Sequence, residues 1–408
     1  MHETRRVPRL PPVYLLGPAF VAAIAYVDPG NVAANVSAGS QFGFLLLWVI
    51  VVANLMASLV QYLSAKLGLV TGLSLPEAVA LRARRSTRLA YWTQAELVAM
   101  ATDVAEVVGG AIALYLLFGL PLLWGGVITG AVSLALLAIQ NRRGQRAFER
   151  VIVGLLAVIA IGFLSSLFVD PPAASEVASG LVPRFDGAES VLLATAMLGA
   201  TVMPHAVYLH SGLTRDRHGR PEPGAPRRRL LQATRADVAV AMLLAGAVNI
   251  AMLLVAATHL QGRENTDSIE GAYYAVRDTL GAGVALLFAI GLLASGLAST
   301  SVGAYAGSMI MDGLLNVRIP LLTRRVVTLI PALVILGIGF DPSRALVLSQ
   351  VVLSFGIPFA LVPLVQLTND ATLMGEDANR RVTTALGWLI AAVITVLNAV
   401  LIYLTVRG

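Results

Sequence analysis

Eleven apolar stretches recur along this chain, each long enough for a helix across a bilayer, and they leave little room for anything else. A hydrocarbon core about 30 Å thick takes roughly 17–25 helical residues. The stretches fall at about 14–38, 43–67, 91–118, 121–140, 150–169, 189–213, 237–260, 280–310, 325–340, 343–367 and 383–406. The stretch at 280–310 has the length for one helix or two. Membrane β-barrels show alternating strands of roughly ten residues instead, a pattern not found here. With 57% of 408 residues hydrophobic and 13% charged, composition overrules the soluble domains that length alone would suggest. The expectation is an all-α integral membrane protein with eleven transmembrane helices and no soluble domain.

Cysteine is absent, which excludes disulfides, thiolate ligands and thiol nucleophiles. The first stretch reads as a helix and not a cleaved leader, because Asp28 interrupts it and no small-residue cleavage site follows. A net charge of +6 does not signal nucleic acid, since its distribution has another cause. If Arg5, Arg6 and Arg9 face the cytoplasm, 23 of the 29 basic residues lie on that side. Five lie opposite (Arg184, Arg263, Arg277, Arg344 and Arg407), and Lys66 falls within the second stretch. Basic loops stay on the cytoplasmic side, so the N-terminus is expected inside and the C-terminus outside, in a bacterial inner membrane. The arginine-rich connection 214–235 reads as a flexible solvated linker, or as a contact for lipid headgroups. The connection 263–278 mixes both signs and reads as solvated.

Two short runs break the apolar pattern: Asp28-Pro29-Gly30-Asn31 in the first stretch and Met203-Pro204-His205 in the sixth. Proline cannot donate to the carbonyl four residues back, so Pro29 frees Ala25 and Pro204 frees Ala200. A free carbonyl at membrane depth is tolerated only against protein, a cavity or an ion. Gly30 is expected to let the backbone unwind after the first break. The breaks thus offer two carbonyls, the Asp28 carboxylate, the Asn31 amide oxygen and the Met203 thioether. Oxygens alone suit magnesium, calcium and manganese, whereas a thioether adds affinity for softer metals. The set points to Mn²⁺ or Fe²⁺, with Cd²⁺ and Co²⁺, over Ca²⁺ and Mg²⁺. Five spans separate the two breaks, so their helices run oppositely. Paired broken helices of that kind mark an inverted repeat around a midplane site, with repeats at about 14–169 and 189–367 and an extra helix at 383–406.

The third stretch carries Asp103 and Glu106, three apart on one helical face. With Asp28 they make three carboxylates at membrane depth, costing roughly 8–10 kcal/mol on insertion scales. They form either a proton relay or a buried ion-pair network with Arg324 and Arg325, and one network can do both. His205 is a proton acceptor at physiological pH, a metal ligand or a core histidine. Gln61, Glu96, Asn249 and Gln350 are polar groups that can bond between helices. Gly303 and Gly307 form a weak helix-packing pattern.

The two broken runs, in this order and in an eleven-span chain, resemble the paired signatures of the Nramp family of divalent-metal transporters over nearly the whole length. The resemblance implies a LeuT-like fold and metal entry coupled to proton movement. It implies ligation by Asp28, Asn31, Met203 and the carbonyls of Ala25 and Ala200, with Gln350 joining as the site closes. It places Asp103, Glu106 and His205 in proton transfer, and Arg324 and Arg325 on a polar pathway toward the cytoplasm. Glu96 is assigned to the proton pathway with them. Met203 sets the chain apart from magnesium-transporting relatives, which lack it.

The expected partners are divalent metal ions, protons and the lipid bilayer; no cofactor is implied, and a monomer is the default. A Na⁺-coupled amino-acid carrier of the same architecture is the rival reading. Such sites favour unwound Gly-rich backbone without an acid facing a thioether, so Asp28 and Met203 decide for metal. No His-Glu-x-x-His, Gly-x-Ser-x-Gly or cysteine supports an intramembrane enzyme. A passive channel gives no reason for paired breaks. A potential of about 100 mV supplies roughly 4.6 kcal/mol to an entering divalent ion, so voltage alone can drive import.

Overall fold

The structure is a computed structural model and describes residues 17–143, 145–263, 268–317 and 319–407. Arg5, Arg6 and Arg9, where the orientation count begins, lie outside the described residues, as does the side chain of Arg407. Helix dominates throughout, and no strand occurs among the described residues. The first apolar stretch forms α1 (Pro18–Ile24) and α2 (Pro29–Phe42), and α3 (Leu47–Thr71) follows after a turn at Gly43, whose φ is 57°. Next come α4 (Leu75–Arg82), α5 (Arg85–Phe118), α6 (Leu122–Arg143), α7 (Gln145–Val169) and α8 (Ala174–Gly180). The sixth stretch forms α9 (Gly187–Thr201) and α10 (Pro204–His218). The remainder is α11 (Ala225–His259), α12 (Ile269–Leu280), α13 (Ala282–Leu315), α14 (Leu321–Gly337), α15 (Pro342–Asn369), α16 (Ala371–Met374) and α17 (Arg381–Arg407).

Among the described residues, each of the eleven apolar stretches is helical over most of its length. Eight runs are long and apolar enough to cross a membrane by length and composition, while Pro18–Val27 and Leu122–Leu136 are shorter apolar helices. The stretch at 280–310 is one unbroken helix, α13, of 34 residues. Lipid is the natural solvent for the outer surface: Leu55, Leu243, Ile161, Phe168 and Leu389, on four different helices, are all more than half exposed.

At the centre α5 lies along α13, while α2 packs on α11, α10 on α3 and α9 on α15. Small residues let these backbones meet. A Cβ on Gly199 of α9 would fall 2.0 Å from the Gln350 carbonyl of α15, and one on Gly68 of α3 would fall 2.0 Å from the Ser211 carbonyl of α10. Gly303 and Gly307 serve a different purpose from the packing expected of them. A Cβ on Gly303 would meet the Glu106 carboxylate at 3.1 Å, and one on Gly307 the Arg324 guanidinium at 2.0 Å. They make room for charge.

Two expectations about the connections are corrected. The run 214–235 is no flexible linker, because α10 extends to His218 and α11 begins at Ala225. Its leucines, alanines and arginines are good helix formers, and Arg227 is buried and paired with Asp377 at 3.1 Å. Likewise 263–278 is not merely solvated: α12 buries Ile269, Ala272 and Val276, three positions of one helical stripe. Residues 264–267 lie outside the described residues.

Candidate metal site and buried charge network

The first break sits between α1 and α2. α1 runs seven residues, a 3-10 turn occupies Ala25–Val27, and Asp28 is extended at φ −70°, ψ 166°. Pro29 is therefore the first residue of α2, where its missing N–H leaves no hydrogen bond unmade. The unwinding precedes the proline, whereas the sequence reading placed it afterwards, at Gly30. Gly30 lies in the first turn of α2, and its bare Cα serves Gln350 instead. A Cβ there would lie 1.6 Å from Gln350 Nε2. Side chains answer the carbonyls that the break exposes: Asn249 Nδ2 donates to Tyr26 O at 2.7 Å, and Ser295 Oγ donates to Val27 O at 2.5 Å. Asn35 Nδ2 steadies Asn249 through its Oδ1 at 3.0 Å.

The second break sits between α9 and α10. Val202 closes α9 by donating to Leu198 O at 2.8 Å, and Met203 is the N-cap of α10 with Pro204 first in the helix. Its side chain makes no capping hydrogen bond. Ser, Thr, Asp or Asn is the usual N-cap, and a residue that cannot cap costs about 1 kcal/mol. A thioether there is a local loss that something else must justify.

Hydrogen bonds draw the two breaks together. Asp28 caps α2, its Oδ1 accepting from Asn31 N at 2.8 Å and from Asn31 Nδ2 at 2.7 Å. The same Nδ2 donates to Ala200 O at the end of α9, at 2.9 Å. From α15, Gln350 Nε2 reaches Asp28 Oδ2 at 3.3 Å. Asp28, Asn31, Ala200 and Gln350 thus form one connected cluster. Met203 and Ala25 take the matching positions at the ends of the breaks, both buried. Asp28, Asn31, Met203 and Gln350 meet no solvent. Two buried oxygens in the cluster, Asn31 Oδ1 and Gln350 Oε1, have no hydrogen-bond partner among the described residues, and each such orphan costs about 1–3 kcal/mol. Among the described residues no group of three or more His, Cys, Asp or Glu is placed to hold a metal.

α5 carries the charged groups away from this cluster. Pro29 packs on Gly109, where a Cβ would fall 2.0 Å from the proline ring; Glu106 is one turn below. Neither Glu106 oxygen finds a hydrogen-bond partner among the described residues. Below it Asp103 is ion-paired with Arg325, whose Nε donates to Ser133 Oγ at 3.1 Å. Further on Glu96 takes Arg324 in a two-oxygen contact at 2.9 and 3.1 Å. His205 Nδ1 lies 3.4 Å from Thr102 Oγ1, which donates its own proton to Val98 O at 3.0 Å. His205 Nε2 has no hydrogen-bond partner among the described residues.

Several functional-looking residues escaped the sequence reading. His210, to which no role was assigned, joins Gln61 Oε1 at 2.7 Å, and Gln61 Nε2 donates to the Tyr26 hydroxyl. Asp237, Ser295, Thr102 and Ser133 were passed over too. Asp237 receives Gly17 N at 3.2 Å and Ala19 N at 3.1 Å, fixing the start of α1. An ordinary serine, threonine or tyrosine in an apolar helix carries no sequence signal. Asp237 did carry one, being an acid near the start of the seventh stretch.

Two helices, each broken at a proline and joined through a buried polar cluster, are the arrangement of a membrane carrier of the inverted-repeat type. The family model described as natural resistance-associated macrophage protein-like matches residues 19–404. The chain belongs to the Nramp family. It is 71% identical over 97% of its length to the divalent metal cation transporter MntH of Mycobacterium tuberculosis, covering 92% of that protein. It is 46% identical to MntH of Deinococcus radiodurans, covering 96% of this chain and 90% of the relative. A crystal structure of a manganese transporter from Eremococcus coleocola superposes with a TM-score of 0.86 at 33% identity, covering 98% of this chain and 88% of that one. A nucleobase-cation-symport-1 family transporter shares the fold at a TM-score of 0.62 and 17% identity, covering 95% of this chain and 90% of the other. The LeuT-like fold expected from the sequence is the fold observed.

Proposed function

We infer that the protein imports divalent transition metal ions, Mn²⁺ or Fe²⁺ and also Cd²⁺ and Co²⁺, into the cytoplasm by alternating access coupled to proton movement. The observation that carries this reading is the pair of unpartnered amide oxygens, Asn31 Oδ1 and Gln350 Oε1, beside the Asp28 carboxylate where the two breaks meet. An amide NH₂ now bridges Asp28 and Ala200; a cation in its place needs the Asn31 amide to turn over, presenting oxygen to the ion. Asp28, Asn31 and Ala200 then supply hard donors, Ala25 a second carbonyl, Gln350 a further amide oxygen and Met203 the soft donor that favours transition metals. Protons travel along α5 through Glu106, Asp103 and Glu96, with His205 Nε2 as an acceptor and Arg324 and Arg325 holding the acids in place. The names of the relatives support a metal cargo.

The inner membrane is the proposed location, with the N-terminus cytoplasmic, the C-terminus outside and eleven crossings in total. The inverted repeats are residues 14–169 and 189–367, and the protein acts as a monomer. The test is Mn²⁺ uptake into proteoliposomes with and without a large excess of Ca²⁺ and Mg²⁺. Uptake that survives the excess is the expected result. Uptake erased by Ca²⁺ or Mg²⁺ overturns the role of the thioether. No uptake by folded protein overturns the metal reading and brings forward an amino-acid carrier.

A further inference from the structure

A cavity of about 420 Å³ lies far from the broken helices, between α3, the start of α11 and the residues leading into α17. Four basic side chains line it: Lys66, Arg228, Arg235 and Arg380. Its two acids are already engaged, Asp377 by Arg227 at 3.1 Å and Glu376 by Arg228 at 3.9 Å. Lys66 is the only lysine in the chain and is 7% exposed. Its ammonium has a neutral partner, Asn379 Oδ1 at 3.0 Å, and no carboxylate at ion-pair distance among the described residues. Arg235 is stacked on the Tyr62 ring at 4.9 Å, which holds the guanidinium without neutralising it. A buried ammonium whose hydrogen-bond partner is neutral is costly, and a cavity lined by four cations and two acids carries an excess of positive charge that suits an anion.

The surroundings say which anion. From Lys66 one face of α3 continues through Tyr62, Leu59 and Leu55, at helical spacing, and Leu55 is 67% exposed. α17 rests on α15 and α9 and touches α3. Cationic chemistry at one end and an apolar, outward-facing helix surface running from it match a phospholipid better than a soluble phosphate.

We propose that this cavity binds an anionic phospholipid, its phosphate among Lys66, Arg235 and Arg380 and its acyl chains along the Leu59 and Leu55 face of α3. The inference is independent of what the carrier transports. Native mass spectrometry of the detergent-purified protein tests it, with phosphatidylglycerol and phosphatidylcholine of matched chains added separately. Phosphatidylglycerol is expected to be retained preferentially. Each cationic side chain removed from such a surface weakens binding about fivefold, so the Lys66→Gln/Arg235→Gln/Arg380→Gln variant should retain it no better than phosphatidylcholine. Lys66 is buried and its loss can harm folding; the Arg235→Gln/Arg380→Gln variant changes exposed residues alone and should still lose most of the preference. Equal retention of the two lipids by the wild-type protein overturns the proposal, as does undiminished retention by the double variant. Displacement of phosphatidylglycerol by millimolar glycerol 1-phosphate also overturns it and assigns the cavity to a soluble anion.

Discussion

The two helix breaks use the same device, a proline at the first position of the second half-helix, yet they are finished differently. At the first break an acid caps the helix, and Asn249 and Ser295 from other helices take the exposed carbonyls. At the second, the cap is a methionine that makes no hydrogen bond, and the Ala200 carbonyl is answered from the first break, by Asn31. The first has its Tyr26 and Val27 carbonyls answered by neighbouring helices and supplies the charge. The second is left unfinished and supplies the softness. This asymmetry teaches that the breaks are not interchangeable hinges: one fixes a carboxylate at membrane depth, and the other leans on it with donors a protein would not choose for stability.

The largest expected effect comes from removing that charge. Leaving a buried ion without its charged partner costs about 3–5 kcal/mol, more than a hundredfold in affinity, so Asp28→Ala should abolish Mn²⁺ uptake in proteoliposomes. Normal uptake by that variant would sink the site assignment. Gly30→Ala should come close behind, because its Cβ claims the space of Gln350 Nε2. The check is a cycle with Gln350→Ala, measured as uptake. If Gly30 acts through Gln350, the double variant will be no worse than Gly30→Ala alone; additive losses would place the effect of Gly30 in the backbone.

Much of the first break was legible because each of its residues is improbable where it stands. Proline, aspartate and asparagine inside an apolar helix have no bland explanation at that depth, and Asp103 and Glu106 announce themselves in the same way. The helices were equally readable from apolar length. What stayed hidden is whatever depends on which helices meet. Ser295 looks like any small residue of α13 until α13 is laid against Val27. His210 has no meaning without Gln61, 149 residues away in sequence. Gly30 was misread for a local reason: its lack of a side chain was credited to backbone freedom, although the partner that needs the space lies on α15.

Met203→Ala addresses the soft half of the comparison. Uptake of Mn²⁺ should continue at a reduced rate, because the oxygen donors remain, while excess Ca²⁺ should begin to compete. Ca²⁺ that still fails to compete would separate selectivity from the thioether. Met203→Ser goes further, since serine is a good N-cap. It should raise the melting temperature of the purified protein while weakening discrimination against Ca²⁺, and a gain in stability with unchanged selectivity would break the idea that the uncapped helix exists for the metal.

The smallest effect should come from the finished break, and it concerns stability before transport. Asn249→Ala leaves Tyr26 O without its donor and Asn35 Nδ2 without its acceptor. A buried polar group stranded in this way costs about 1–3 kcal/mol. Ser295→Ala strands a single carbonyl, that of Val27, and should cost less. Thermal unfolding in detergent would rank the two, and uptake measured well below the melting temperature should stay close to wild type for both, since neither touches the Asp28 cluster directly. If instead both variants unfold normally and transport fails, the stitching at the first break has a part in the transport cycle itself. The carbonyls of Tyr26 and Val27 would then have to be released and recaptured at each turnover, and the contrast between a finished and an unfinished break would describe only one conformation of the cycle.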